Sequence, residues 1–276
     1  MGFKLGDIII DRLQFGYGAR ANGTPLYALT QLSEMSIEVT ADSSDIKDKD
    51  GNLVYRKYNG KTAEVNGTNT FVNLAVIETL SATDAEIATA SHTIKMPYIT
   101  TVKAGETLDI TGYVEGTVAV NALYNGAMGQ EYKLGTGTAS ETEFIIKHTD
   151  EVSAPPESVK PASDILTPPT DKNEVEYVVK YTKEVKSGTK IVNSADKFPK
   201  AHELYFKALA IDPCDKENFK ACIVRIPSFI PSPEFTLALQ GGDSQTMDFK
   251  GAILADTCSA DKVLFEVYFI DEDEVA

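Results

Sequence analysis

Tryptophan is absent from this chain, and cysteine and histidine occur only three times each. Without indole rings, a carbohydrate cleft built on aromatic platforms would have to rest on the 12 tyrosines. Cys214, Cys222 and Cys258 are odd in number and lack metal-type spacing. That argues against a disulfide scaffold and reads as small core residues in a reducing cytoplasm. His92, His148 and His202 have no partner at ligand or triad spacing, so each reads as a surface or structural residue. Basic side chains are scarce too, 26 against 41 acidic ones, for a formal charge of −15. So acidic a chain is repelled by nucleic acid, which argues against a reader of DNA or RNA sequence. Long apolar runs are also missing. Ile8-Ile9-Ile10 is bounded by Asp7 and Asp11, too short and too charged for a signal peptide, and nothing approaches a membrane span.

What is present is a β pattern. At 276 residues and 42% apolar, the chain can build one large β domain or two small ones with a full core. Met35, Ile37 and Val39 alternate with Ser36, Glu38 and Thr40, the period of a strand with one face buried. A polar loop, Asp42 to Asn52, ends in Asp50-Gly51, a turn dipeptide. A second strand, Leu53 to Tyr58, turns at Asn59-Gly60 into a third, Lys61 to Thr68, where Ala63, Val65 and Gly67 face one way and Thr62, Glu64, Asn66 and Thr68 the other. Asn69 is placed to cap a helix whose Phe71, Leu74 and Ile77 belong to an almost all-round apolar surface running to Leu80. Such a helix is expected to be buried on most sides, against its own sheet and in addition against a neighbouring subunit.

Elsewhere the pattern repeats more weakly. Gly6 to Phe15 reads as a strand and Gly16 to Gly23 as a glycine-studded loop; Gly16-Tyr17-Gly18 lacks the helix start and lysine of a phosphate cradle. Further strands are expected over Thr93 to Val102, Leu108 to Val114, Thr117 to Leu123, Glu143 to Lys147, Val175 to Tyr181, Leu204 to Ile211, Ala221 to Ile226 and Phe235 to Leu239. Residues 125 to 137 read as loose. Val263 to Ile270, apolar on both faces apart from Glu266, reads as a central strand before the acidic run Asp271 to Glu274. Pro155, Pro156, Pro161, Pro168 and Pro169 make 153–173 a surface loop of a single domain 1–276 or, alternatively, a linker between two β domains.

Chemistry is hard to find. No nucleophile elbow, Walker-type loop or paired helical histidines occur. Asp45, Asp48, Asp50 and Gly51 hint at a calcium loop, but aligning Gly51 with that motif's glycine puts Ile46 at the first ligand position and Lys57 at the last. The stretch reads instead as an acidic hairpin loop. Neither a metal nor a cofactor is expected, and the chain does not read as an enzyme.

The run Glu34 to Thr40, the Asp/Ser-rich loop, Lys49-Asp50-Gly51, Thr62-Ala63-Glu64-Val65 and the start Asn69-Thr70-Phe71 together resemble the major tail tube proteins of long-tailed bacteriophages. Phe235 to Gly242, Gln245 to Phe249 and Asp256 to Lys262 are similar to the later part of such proteins, of which the type VI secretion tube protein is a relative. Residues 85 to 200 carry none of the resemblance. It implies a β-sandwich or barrel with a flanking helix, assembled into stacked, six-membered rings that form a conduit for genome delivery. The partners it implies are further copies, other tail proteins such as terminator, tape measure or sheath, and genomic DNA that passes without specific binding; the location is the virion tail, assembled in the host cytoplasm. A rival reading from another class is an immunoglobulin-like or lectin-like decoration protein on a virion or cell surface. Under the first reading, Glu38 and Glu64 on the polar face are expected to line the lumen. Asp42, Asp45, Asp48 and Asp50 then lie in a loop that touches the next ring.

Overall fold

The computed structural model of the chain describes residues 6–150, 152–154, 158–160, 162–170, 176–237, 246–256 and 261–271. The protein is mainly β, and its backbone divides into two compact units, one formed by Met1–Ala85 with Ile191–Ala276 and the other by Glu86–Lys190. Within 153–173, expected as a surface loop or a linker, Ser163–Thr167 instead form a strand of the second unit, paired on both sides and with Leu166 buried.

The first unit contains β1 (Ile9–Ala19), β2 (Pro25–Leu29), β3 (Leu32–Lys47), β4 (Leu53–Asn69) and the helix α1 (Leu74–Ser81). The second holds β5 (Glu86–Ala88), β6 (Ile94–Lys103), β7 (Leu108–Asp109), β8 (Ala119–Tyr124), β9 (Ala127–Leu134), β10 (Glu143–Thr149), β11 (Val152–Ala154), β12 (Ser158–Lys160), β13 (Ser163–Thr167), β14 (Glu176–Val185) and β15 (Gly188–Lys190). The chain then returns to the first unit with β16 (His202–Asp212), β17 (Asp215–Pro231), β18 (Met247–Ile253) and β19 (Glu266–Asp271).

One sheet organises the first unit, in the order β2-β1-β16-β17-β18-β4-β3, with β19 also beside β17. Its strands wrap a core of Leu29, Val65, Leu204, Phe206, Phe229 and Phe249, closed by Val76, Ile77 and Leu80 of α1. At the handover from β17 to β18 the strands approach so closely that a Cβ on Gly251 would lie 2.4 Å from the Ile230 carbonyl oxygen. Only glycine fits there.

In the second unit β14, β8, β9, β10, β13 and β7 follow one another, with β6 on the outer side of β14. After β7 the chain comes back to β14: Tyr113 bridges Lys183, the Val114 N–H donates to the Thr182 carbonyl and the Glu184 N–H to that of Gly112. These bonds bring the sheet to a near-closed barrel around Ile110, Val120, Phe144, Leu166, Tyr177 and Val179.

Several local expectations give way to tertiary pairing. Gly16 and Gly18 are not loop but strand: a Cβ on Gly18 would sit 2.5 Å from the Tyr27 ring, so the glycine makes room for a core tyrosine. Asn59-Gly60 is not a turn. Asp42 pairs with Gly60 and Ser43 with Tyr58, leaving Asn59 as the extra residue of a bulge inside one continuous strand. Asn69 still belongs to β4, bonded between Leu32 and Met247, so the helix cap moves to Asn73. Its Oδ1 accepts from the Ala75 and Val76 N–H groups, and its Nδ2 donates to the Ala28 carbonyl at 2.7 Å. With that later start α1 turns Val76, Ile77 and Leu80 inward; Phe71 and Leu74, expected to be buried, are 58% and 54% exposed. Residues 127–134, read as loose, form β9. The strand expected over Phe235 to Leu239 is not formed at 235–237, and its remainder lies outside the described residues. β19 is a marginal strand rather than a central one, with Val267 and Tyr268 well exposed. Of the cysteines, Cys222 is buried, Cys214 is exposed and Cys258 lies outside the described residues.

His202 is a structural histidine. It is 3% exposed, packs edge-on against Tyr27 and Phe229, and its Nε2 lies 2.7 Å from the Tyr27 hydroxyl while Nδ1 faces the Lys200 carbonyl at 3.2 Å. Nδ1–H therefore donates to the carbonyl and Nε2 accepts from Tyr27. Burial holds the imidazole pKa below the ordinary value and pushes that of Tyr27 up. A histidine whose folded pKa is lowered costs stability as pH falls through the unfolded value of about 6.5, because only the unfolded chain takes up the proton readily. The contribution of His202 to the unfolding free energy should therefore decline from pH 7 to pH 5, against an opposing one from His148, whose pKa the neighbouring Asp164 and Asp150 raise, and His202 should keep a neutral ring signature by NMR at a pH where an ordinary histidine is charged. A fully protonated His202 in the folded protein at pH 6 would contradict this assignment.

Candidate functional site

β3 and β4 form a hairpin of 16- and 17-residue strands, much longer than the seven-residue β18 beside it. β18 covers β4 only from Ala63 to Asn69, so the ten residues from Leu53 to Thr62 have β3 as their sole strand partner among the described residues. At about 3.3 Å per residue, that leaves an arm of about 30 Å. A two-stranded ribbon is marginal on its own. Ile46, Leu53, Val54, Tyr55 and Tyr58 on this arm are all more than half exposed; Leu53 to Tyr58 lie on an expected strand, whereas Ile46 falls in 42–52, expected as a polar loop, and lies in β3 instead.

Ionic and turn contacts stiffen the arm. Arg56 donates from Nε and Nη2 to the two oxygens of Asp45, at 2.7 and 3.0 Å across the ribbon. This bidentate bond holds the Asp45 carboxyl below its usual range. At the tip, Asp48 Oδ1 accepts from the Asp50 and Asn52 backbone N–H groups and Oδ2 from the Asn52 side chain, which lowers its pKa. Asp50 pairs with the adjacent Lys49 at 2.9 Å. Asp42 sits in β3 at the bulge. The four acidic residues thus spread along the arm rather than gathering in one loop, and Asp45 and Asp48 spend their oxygens on protein donors. Among the described residues no group of three or more His, Cys, Asp or Glu is placed to hold a metal ion.

At the base of the arm the register puts Ala63 and Val65 into the core and Ser36↔Asn66, Glu38↔Glu64 and Thr40↔Thr62 on the opposite face. Glu38 and Glu64 are directly opposed and exposed. Like charges in that relation destabilise a strand pair. Thr40 and Thr62 bond at 2.7 Å beside them, and the Thr68 hydroxyl donates to Asp248 at 2.8 Å. The sequence neighbours of these glutamates include no cation on this face, but the fold brings one: Lys250 of β18 pairs with Asn66 and binds Glu234 at 2.7 Å. Its pKa is raised, by Glu234 first and by the charge of Glu64 in addition. Nothing local in the sequence could have placed Lys250 there. A groove of about 980 Å³ runs over the same face, between Glu34, Thr68, Asp248 and Lys250. β3 is the last strand of its sheet, so its outer N–H and C=O groups are unpaired among the described residues.

A mainly β subunit with an open sheet edge, a projecting ribbon of exposed apolar residues and an acidic face has the make-up of a structural assembly protein. The chain belongs to the YomU/Tube protein family, whose model matches residues 9–266. It is also similar to the "Tail tube protein" of Bacillus phage SPR, 29% identical over 72 residues, which are 26% of this chain and 27% of that protein.

If the opposed glutamates repel one another, Glu64→Gln should raise the thermal midpoint at low salt, and the gain should fade near 1 M salt, where the screening length falls to about 3 Å. Equal gains at both salt concentrations would show that charge is not the cause.

Proposed function

We propose that this chain is the subunit of a phage tail tube, in which copies join edge to edge into rings of six and the rings stack into a conduit for genome delivery. The observation that carries this reading is the free β3 edge continuing into an apolar arm about 30 Å long, since both features lack cover in a lone subunit. Pairing β3 with a neighbour's strand satisfies its backbone groups, and the arm, with its acidic residues Asp42, Asp45, Asp48 and Asp50, reaches the adjoining ring. Exposed Phe71 and Leu74 suit the same subunit contact. Terminator, tape measure and sheath proteins are the further partners, and the assembled tube belongs to the virion tail, built in the host cytoplasm. No catalytic step is needed.

The acidic face suits a passage for a polyanion. Basic groups on a lumen wall would engage phosphates with counterion release and hold the duplex, whereas Glu38 and Glu64 repel it. Lys250 does not reverse this, because Glu234 neutralises it.

Two measurements test the reading. Negative-stain microscopy of purified protein should show rings or tubes, and replacing 42–60 by a two-residue turn should leave folded rings that no longer stack; a monodisperse monomer at high concentration would sink it. In particles, Glu38→Lys with Glu64→Lys should leave tubes intact and slow DNA ejection, most at low salt. Unchanged ejection at every salt concentration, with intact tubes, would place these glutamates outside the channel.

A further inference from the structure

In the first unit a cleft of about 650 Å³ opens among the end of α1, the β1–β2 connection and the segment leading into β16. Arg20, Lys197 and Lys200 line it together with Glu78 and Asp84. Glu78 is already engaged, its Oε1 accepting the Ala85 N–H at 2.9 Å. Arg20, Lys197 and Lys200 form no ion pair among the described residues. Among the described residues the cleft sets three cations without an ion pair against two carboxylates, one of which, Glu78, already accepts a backbone N–H; in a chain of net charge −15 that excess of positive charge favours an anionic occupant. The sequence carries a matching segment, Asp271-Glu272-Asp273-Glu274, which begins at the last residue of β19.

We propose that the acidic run 271–274 of one copy docks in the basic cleft of another copy. This rests on the tube reading above and names a contact that would give the assembly its direction.

The register excludes docking of the run in its own cleft. Asp271 pairs with Lys220, and Lys220 with Ala210, whereas the cleft is lined by Lys200, Ala201 and His202 at the other end of β16. Eight residue steps along β16, from His202 to Ala210, are about 26 Å. Glu274 lies three residues beyond Asp271 and can reach at most about 11 Å. Direction adds to distance. β19 and β16 are both antiparallel to β17, so they run the same way, and β19 leaves the sheet heading away from the cleft. The cleft and Asp271, with which the run begins, thus stand at opposite ends of one sheet. A contact between them joins different surfaces of two copies, the head-to-tail kind that propagates rather than closing as a symmetric dimer.

A labelled peptide of residues 268–276 provides the test, titrated into the full chain by fluorescence anisotropy. Binding should weaken at least tenfold in Lys197→Glu/Lys200→Glu, should fall with added salt, and should vanish for a peptide with Asn and Gln at 271–274. No binding to the unaltered protein, or equal binding to the charge-reversed variant, overturns the proposal. In assembly, Glu272→Lys/Glu274→Lys should give rings that do not stack, and adding Lys197→Glu/Lys200→Glu should restore stacking. Full-length tubes from the first variant would overturn the docking and leave the tube reading intact. Absence of rings and tubes from unaltered protein would count against the tube reading, and peptide binding would still decide the docking.

Discussion

The backbone pairing of β17 is the constraint on which the first unit depends. This 17-residue strand pairs with β16 over most of its length on one side and divides its other side between β19, at Lys220–Arg225, and β18, at Phe229–Pro231. The branch creates two regions with different fates. Toward Phe229 the sheet wraps the aromatic core under α1, and its close packing is fixed by Gly251. Toward Lys220 it continues as β1, β16, β17 and β19 around the small residues Ala208, Ala210 and Cys222, with Ile9, Ile10, Phe219, Val267 and Tyr268 left exposed. Burying such side chains in an interface contributes about 25 cal/mol per Å² of apolar area, so the thinner region gains most from a neighbour.

Much of the fold was legible in the alternation of residues 35–39 and 62–68, because a two-residue period records burial on one face without reference to the rest of the chain. The failures share a cause. Asn59-Gly60 has the composition of a turn, and only the pairing of β3 with β4 reveals it as a bulge. Gly16 and Gly18 look flexible until Tyr27 and Leu29 occupy the space they leave. The helix was shifted because β18, distant in sequence, extends β4 to Asn69. Lys250 reaches the polar face by the same long-range pairing. The division into units was visible only indirectly: residues 86–190, which form the inserted barrel, fall within the stretch that carries no tail-tube resemblance.

The arm and its base depart from what an isolated domain would favour. Two glutamates stand opposed, and five large apolar side chains lie open on a ribbon with no third strand among the described residues. Each departure has a small local cost, and the bidentate Asp45–Arg56 bond and the Asp48 turn offset part of it at the surface, where such bonds contribute little. Under the tube reading proposed above, fold and assembly share one stretch of sequence.

An exposed edge must also refuse wrong partners, and β3 has the means. Glu34, Glu38, Asp42 and Asp45 recur along it, with a lone basic residue, Lys47, at its end. Two β3 edges brought together would set carboxylates against carboxylates, which is unfavourable across a strand pair. The first half of β1 is the less acidic alternative: β2 pairs with it only from Gly16 onward, and Arg12 stands among Ile9, Ile10 and Leu13. Pairing β3 with such an edge joins unlike surfaces, and unlike surfaces build rings or filaments where like ones stop at dimers. The acidity along β3 therefore biases which edge could pair with it.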